Sequence, residues 1–201
     1  MIVSTIEDAL ELILDWAGRS DVIIPPRSSA ATQPRSIAPL VAVSDFLGPE
    51  FYAAYNVTSP LLNVQDEIKR PEDQHIRDGV RLLGAENQGL WLFGYREAAP
   101  DDLLVSGDWF DQPSTQNRES WRSVSATTED ALITLALSNA FFALCGRYPF
   151  KDTGDFTSVP AETDILVWRH SAGEGWLGFW TNAAGTLLHF GGMGQTVSRA
   201  Q

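Results

Sequence analysis

The chain holds one cysteine and three histidines in 201 residues, and these shortages remove several classes of protein at once. A single thiol closes no intramolecular disulfide, so the fold must stand on its core. At this length about 70% of the unfolded chain's surface can be buried, which is enough. Cys145 ends the apolar run Ala140-Phe141-Phe142-Ala143-Leu144-Cys145 with no flanking Lys or His, so it reads as a packing thiol and not as an activated nucleophile. His75, His170 and His189 form no His-Glu-x-x-His pattern and have no cysteine at zinc spacing. His170 and His189 facing each other would be a minimal two-ligand pair, but a satisfied or solvent-facing histidine is the simpler reading of each. No metal and no cofactor is expected. Ser106-Gly107-Asp108 lacks the Gly-x-Ser-x-Gly elbow, and Gly191-Gly192-Met193-Gly194 precedes neither Lys-Ser/Thr nor a capped helix.

Basic residues are also scarce: 14 Lys and Arg stand against 26 Asp and Glu, a net charge of −12. Such a field repels phosphate backbones and anionic lipid, so nucleic acid and membrane are not expected as partners. Simple solubility accounts for the balance, and so does attraction to a basic protein. Residues 1–8 carry acids where a secretory leader would be apolar, and no apolar run reaches about 18 residues; the expected location is the cytoplasm.

Two helices and a set of strands are legible. Ser4-Thr5-Ile6-Glu7 fits a capping box, and Ile6, Ala9, Leu10, Ile13, Leu14 and Ala17 follow at helical spacing up to Gly18. Residues 25–36 contain three prolines among small polar residues and read as a loop. Residues 37–55 suit one or two short helices interrupted at Gly48-Pro49. A second strong helix spans 128–144, apolar over most of its circumference and therefore central. Leu103-Leu104-Val105 is a strand candidate, residues 108–124 read as a loop excursion, and 164–169, 176–181 and 186–190 as a three-strand meander. Trp176 and Trp180 alternate with Leu177 and Phe179 there, so aromatics fall on both faces. The expected organisation is an N-terminal helix (1–24), a Pro/Ser-rich loop (25–36), an α+β domain (37–192) and a flexible tail (193–201).

The most informative stretch is Ala85-Glu86-Asn87-Gln88-Gly89-Leu90-Trp91-Leu92-Phe93-Gly94-Tyr95. Val80, Leu82 and Leu83 lead into a polar corner, Gly89 can take the positive φ of a hairpin turn, and an aromatic-rich run follows. Residues 84–95, the following Pro100-Asp101-Asp102, Leu103-Leu104-Val105 and Asp108-Trp109, and the upstream Pro49-Glu50-Phe51-Tyr52-Ala53-Ala54-Tyr55-Asn56 together resemble the SUKH superfamily of immunity proteins and cell-wall-regulator homologues. The likeness covers about residues 37–145, with Phe93 where many relatives carry Trp. It implies an α+β fold in which an antiparallel sheet has its helices packed against one side.

Asp101, Asp102, Asp108, Asp111 and Glu119 are the acids to weigh for chemistry. They lack the Asp-x-Asp-x-Asp-Gly core of a calcium loop, which leaves solvated carboxylates, partner contacts or a carboxylate-based site as readings. As a partner surface, these five acids would meet a basic protein with Trp109 as an aromatic anchor. The resemblance implies a non-catalytic immunity protein that holds the effector domain of a cognate polymorphic toxin inactive. A regulatory or scaffolding relative would share fold and composition, and a small carboxylate-dependent hydrolase is the rival from another class.

Overall fold

The computed structural model describes residues 2–47, 51, 59–85, 91–107, 121–152, 159–163, 165–169 and 178–199. Helix α1 (Ile6–Ala17) begins one residue later than the sequence pattern suggests: the cap is Thr5, paired reciprocally with Asp8. Asp8 accepts from the backbone N–H groups of both Ser4 and Thr5 at 2.9 Å, which leaves Glu7 free for the ion pair described below. Gly18, at φ 72°, closes the helix in the left-handed region. Helix α2 (Ile37–Leu47) carries Pro39 in its first turn, where no intrahelical donor is lost. Helix α3 is the single turn Pro60–Asn63.

Helix α4 (Thr128–Arg147) is capped by Thr127 and Asp130 in the same reciprocal way as α1. Its most apolar 18-residue window has a mean hydropathy of 1.3, so by length and composition this helix could cross a bilayer. That corrects the expectation that no such stretch exists. The physical reason is its position: 72% of the window is buried inside the protein, against α1 and α3 and against strands of both sheets.

All the strand pairings described are antiparallel, and the class is α+β. The strands divide between two sheets, a split that alternation along single strands does not display. In the first, β1 (Glu67–Ile68), β3 (Val80–Ala85), β4 (Trp91–Arg96), β5 (Ala99–Gly107) and β6 (Arg122–Thr127) lie in that order, and β2 (Ile76–Arg77) also pairs with β3. In the second, the order is β7 (Phe150–Asp152), β11 (Gln195–Ser198), β10 (Leu187–Phe190), β9 (Gly178–Thr181) and β8 (Ile165–Arg169). Helix α4 packs on β5 and β6 of the first sheet and on β10 and β11 of the second. Phe141 meets Phe190 edge-on at 5.6 Å, and Phe190 stacks on Phe179 at 4.5 Å, carrying the core from helix to sheet. Burying each such aromatic or leucine contributes about 1.5–3 kcal/mol.

The expected hairpin is present: Arg81 pairs with Tyr95, Leu82 with Gly94, and Ala85 with Leu92, with the register shifting between Leu82 and Gly84. Its turn, 86–90, lies outside the described residues. Both flanking glycines are fixed by close approach. A Cβ on Gly84 would sit 2.2 Å from the Glu67 carbonyl oxygen and 2.2 Å from the Phe93 ring, and one on Gly94 would sit 2.5 Å from the Arg81 carbonyl oxygen. Glycine at these two points lets β1, β3 and β4 close on one another.

Three sequence expectations change. The strand expected at Leu103–Val105 starts earlier and takes in Pro100-Asp101-Asp102 as part of β5, because Glu97 and Ala98 suffice to turn the chain between β4 and β5. Residues 122–124, read as part of an excursion, open β6. Residues 195–198, read as a fraying tail, form β11 between β10 and β7, with Val197 fully buried; Thr196 and Val197 are β-branched residues suited to a pleated, half-buried strand.

Candidate functional site

The N-termini of α1 and α4 meet. The backbone N–H of Ile6 donates to Glu129 Oε1 at 3.0 Å, so a first-turn carboxylate of one helix satisfies an open donor of the other. Arg27, from the Pro/Ser-rich loop, clamps the junction. Its guanidinium donates to both oxygens of Glu7 at 2.7 Å and to both oxygens of Glu129 at 2.8 and 2.7 Å. These hydrogen bonds, Glu7 first, hold the guanidinium above its ordinary range, and the bond from Arg27 holds the Glu7 carboxyl below the usual carboxylate range. Ser28 N–H donates to the Arg35 carbonyl at 3.1 Å, closing the loop on itself.

Beside this clamp lies a cavity of about 310 Å³ lined by Arg27, Arg35, Ser36, Asp101, Thr127 and Glu129. Asp101 therefore reaches the start of α4. Asp102 pairs in register with Thr127 but does not line the cavity, so the two acids do not converge as a catalytic pair would. Both are exposed, and neither makes an ion pair among the described residues. Asp108, Trp109, Asp111 and Glu119 lie outside the described residues.

Seven of the 14 basic side chains, Arg19, Arg27, Lys69, Arg70, Arg77, Arg81 and Arg199, pair with acids of the same chain. Arg35, Arg96, Lys151 and Arg169 are exposed, and Arg35 lines the same cavity as Asp101.

Burial pushes the Cys145 thiol up to about 12, which keeps it protonated and unreactive at neutral pH. His189 is fully buried in the second sheet, its Nδ1 2.9 Å from Thr196 Oγ1 and its ring 5.8 Å from that of Trp180. Its Nε2 has no hydrogen-bond partner among the described residues, and burial lowers its pKa, so the ring is neutral. His170 and Trp176 lie outside the described residues. Among the described residues no three His, Cys, Asp or Glu side chains converge as a metal-binding group.

Sequence reasoning missed Glu7, Arg27, Arg35 and Glu129. Arg27 lies 20 residues from Glu7 and 102 from Glu129, and no local pattern could join them. Compared with known proteins, the chain matches no family model, no curated protein and no solved structure. Fold and face together define an α+β domain of two antiparallel sheets that displays carboxylates beside a clamped helix junction.

Proposed function

We propose that this chain is a non-catalytic protein-binding domain of the SUKH type, an immunity protein that acts in the cytoplasm and neutralises the effector domain of a cognate polymorphic toxin. The observation that carries the reading is charge: the chain has a net charge of −12, and Asp101 and Asp102 stand exposed with no ion pair among the described residues. A basic partner meeting this surface would be steered toward it, which matters for an inhibitor that must capture its target before it acts.

The test is co-expression with the C-terminal domain encoded by the neighbouring gene. Growth should be rescued by the wild type and rescued less well after Asp101→Asn with Asp102→Asn, or after Trp109→Ala with Asp108 and Asp111 neutralised. Rescue that ignores all of these changes would move the binding surface elsewhere. A neighbour without toxicity, joined by a partner that this chain regulates, would favour the scaffolding reading. Hydrolysis that depends on Asp101 would favour the carboxylate enzyme.

A further inference from the structure

A second concavity, of about 590 Å³, separates α1 from the segment that follows it. One wall is the helix face Glu7, Glu11 and Leu14, at i, i+4 and i+7. The other is the irregular stretch of residues 22–26, Val-Ile-Ile-Pro-Pro, in which Ile24 and Pro25 each precede a proline and are thereby steered toward extended backbone. Val22 and Ile24 pack against the core, whereas Ile23 is 86% exposed, the most exposed of the large apolar side chains described. The backbones of Ile23 and Ile24 make no hydrogen bond to the described residues, and Pro25 and Pro26 have no N–H to offer. The groove thus has an apolar wall, a short length of unpaired extended backbone and an acidic rim. The rim charges differ: Glu7 is held by Arg27, but Glu11 is exposed and has no ion pair among the described residues.

We infer that this groove docks an extended segment of a partner protein in which a lysine or arginine alternates with aliphatic residues. Each feature selects one property of the occupant. Free N–H and C=O groups on residues 23 and 24 pair with main chain, which an extended segment offers and a helix does not. Valine, isoleucine and proline on the wall take aliphatic side chains. The unpaired Glu11 carboxylate takes a cation, whose aliphatic stem lies along the same wall. A net charge of −12 disfavours an acidic occupant throughout. The inference rests on the chain being a protein binder and not on its partner being a toxin.

The test is a titration of the full chain, followed by amide NMR shifts, with an acetylated and amidated hexapeptide that alternates valine and lysine. Saturable shifts are expected at residues 11, 14 and 22–24. Glu11→Lys should weaken the affinity about tenfold or more, and Ile23→Ser, which removes the apolar contact without adding charge, should weaken it as well; both sites are exposed, and circular dichroism checks that each variant folds. A valine–glutamate hexapeptide should give no saturation. The inference is overturned by the absence of saturation at millimolar peptide, by shifts spread equally over Asp101 and Asp102, or by indifference to Glu11→Lys. Because no toxin enters the titration, its failure leaves the rescue experiment to decide the immunity reading independently.

Discussion

Replacing Asn139 by leucine keeps the side chain's size nearly constant while removing four hydrogen bonds, and the cost can be worked from the partners left behind. Asn139 is fully buried on α4. Its Oδ1 accepts from the N–H of Gln65 at 2.8 Å and of Asp66 at 3.0 Å, and its Nδ2 donates to the carbonyls of Leu61 at 2.9 Å and Asp66 at 3.1 Å. One amide thus pins the chain between α3 and β1 to the central helix. A buried backbone group deprived of its partner costs about 1–3 kcal/mol. Gln65 and Asp66 are half-buried and can recover water, whereas the Leu61 carbonyl bond is fully enclosed. Counting about two full penalties gives a loss of about 3–4 kcal/mol, or about 10 °C in Tm for a chain of this size. Thermal and urea denaturation read it directly. Asn139→Asp adds a sign test: it keeps the acceptor but turns a carboxylate toward two carbonyls, so its folded pKa is raised and the variant should gain stability as pH falls. An Asn139→Leu variant that melts within about 2 °C of wild type would refute the claim that this amide anchors the α3–β1 connection.

Gly84→Ala should cost about 2–4 kcal/mol by denaturation, because its Cβ would meet the Glu67 carbonyl at 2.2 Å and a main-chain oxygen cannot rotate away; a near-neutral result would mean that β1 is not held against β3. Leu135→Asp, on the buried side of α4, should abolish cooperative unfolding or lower stability by several kcal/mol, and a variant melting within a few degrees of wild type would show that α4 is not central. His189 should titrate below 6.5 by NMR, since burial depresses its pKa in the folded state. The stability it contributes is therefore complete above the unfolded value of about 6.5 and declines as pH falls below it; a midpoint at or above 6.5 would mean that the ring is not sealed. Arg27→Ala should lower stability by about 1 kcal/mol, the value for a half-exposed pair, and should return the Glu7 carboxyl toward its ordinary range, which a carboxylate titration by NMR detects.

Local signals are what make the helices readable. Thr127 and Asp130 cap α4, Gly18 ends α1, and in each case a short polar pattern stands beside an apolar run. The hairpin is readable for the same reason, since Ala85 and Leu92 pair close to each other in the sequence. The division into two sheets is not. β11 enters between β10 and β7, and Asp152 of β7 lies 43 residues before its partner Gln195. The pairing that makes residues 195–198 a strand and not a tail therefore depends on a neighbour too short and too exposed to announce itself. Alternation identifies that a strand exists; it carries no information about its neighbour.

The candidate face divides along the same line. Asp101 and Asp102 are legible as acids, yet their significance depends on what stands next to them. Thr127 and Glu129 arrive there by the pairing of β5 with β6, and Arg27 arrives by a loop whose prolines suggest only the absence of regular structure. A proline-rich segment has few backbone donors, so beyond the Ser28–Arg35 main-chain bond its hold on the rest of the protein falls to side chains. Arg27, whose guanidinium fork is directed at two carboxylates, supplies that hold. The same clamp decides the electrostatics of both concavities, because it consumes Glu7 and Glu129 and leaves Glu11 on one side and Asp101 on the other as the carboxylates available to a cation. Removing Arg27 should therefore strengthen the attraction of both faces for a basic peptide even as it loosens the helix junction, and a variant that binds such a peptide no better than wild type would show that Glu7 and Glu129 do not face solvent once released.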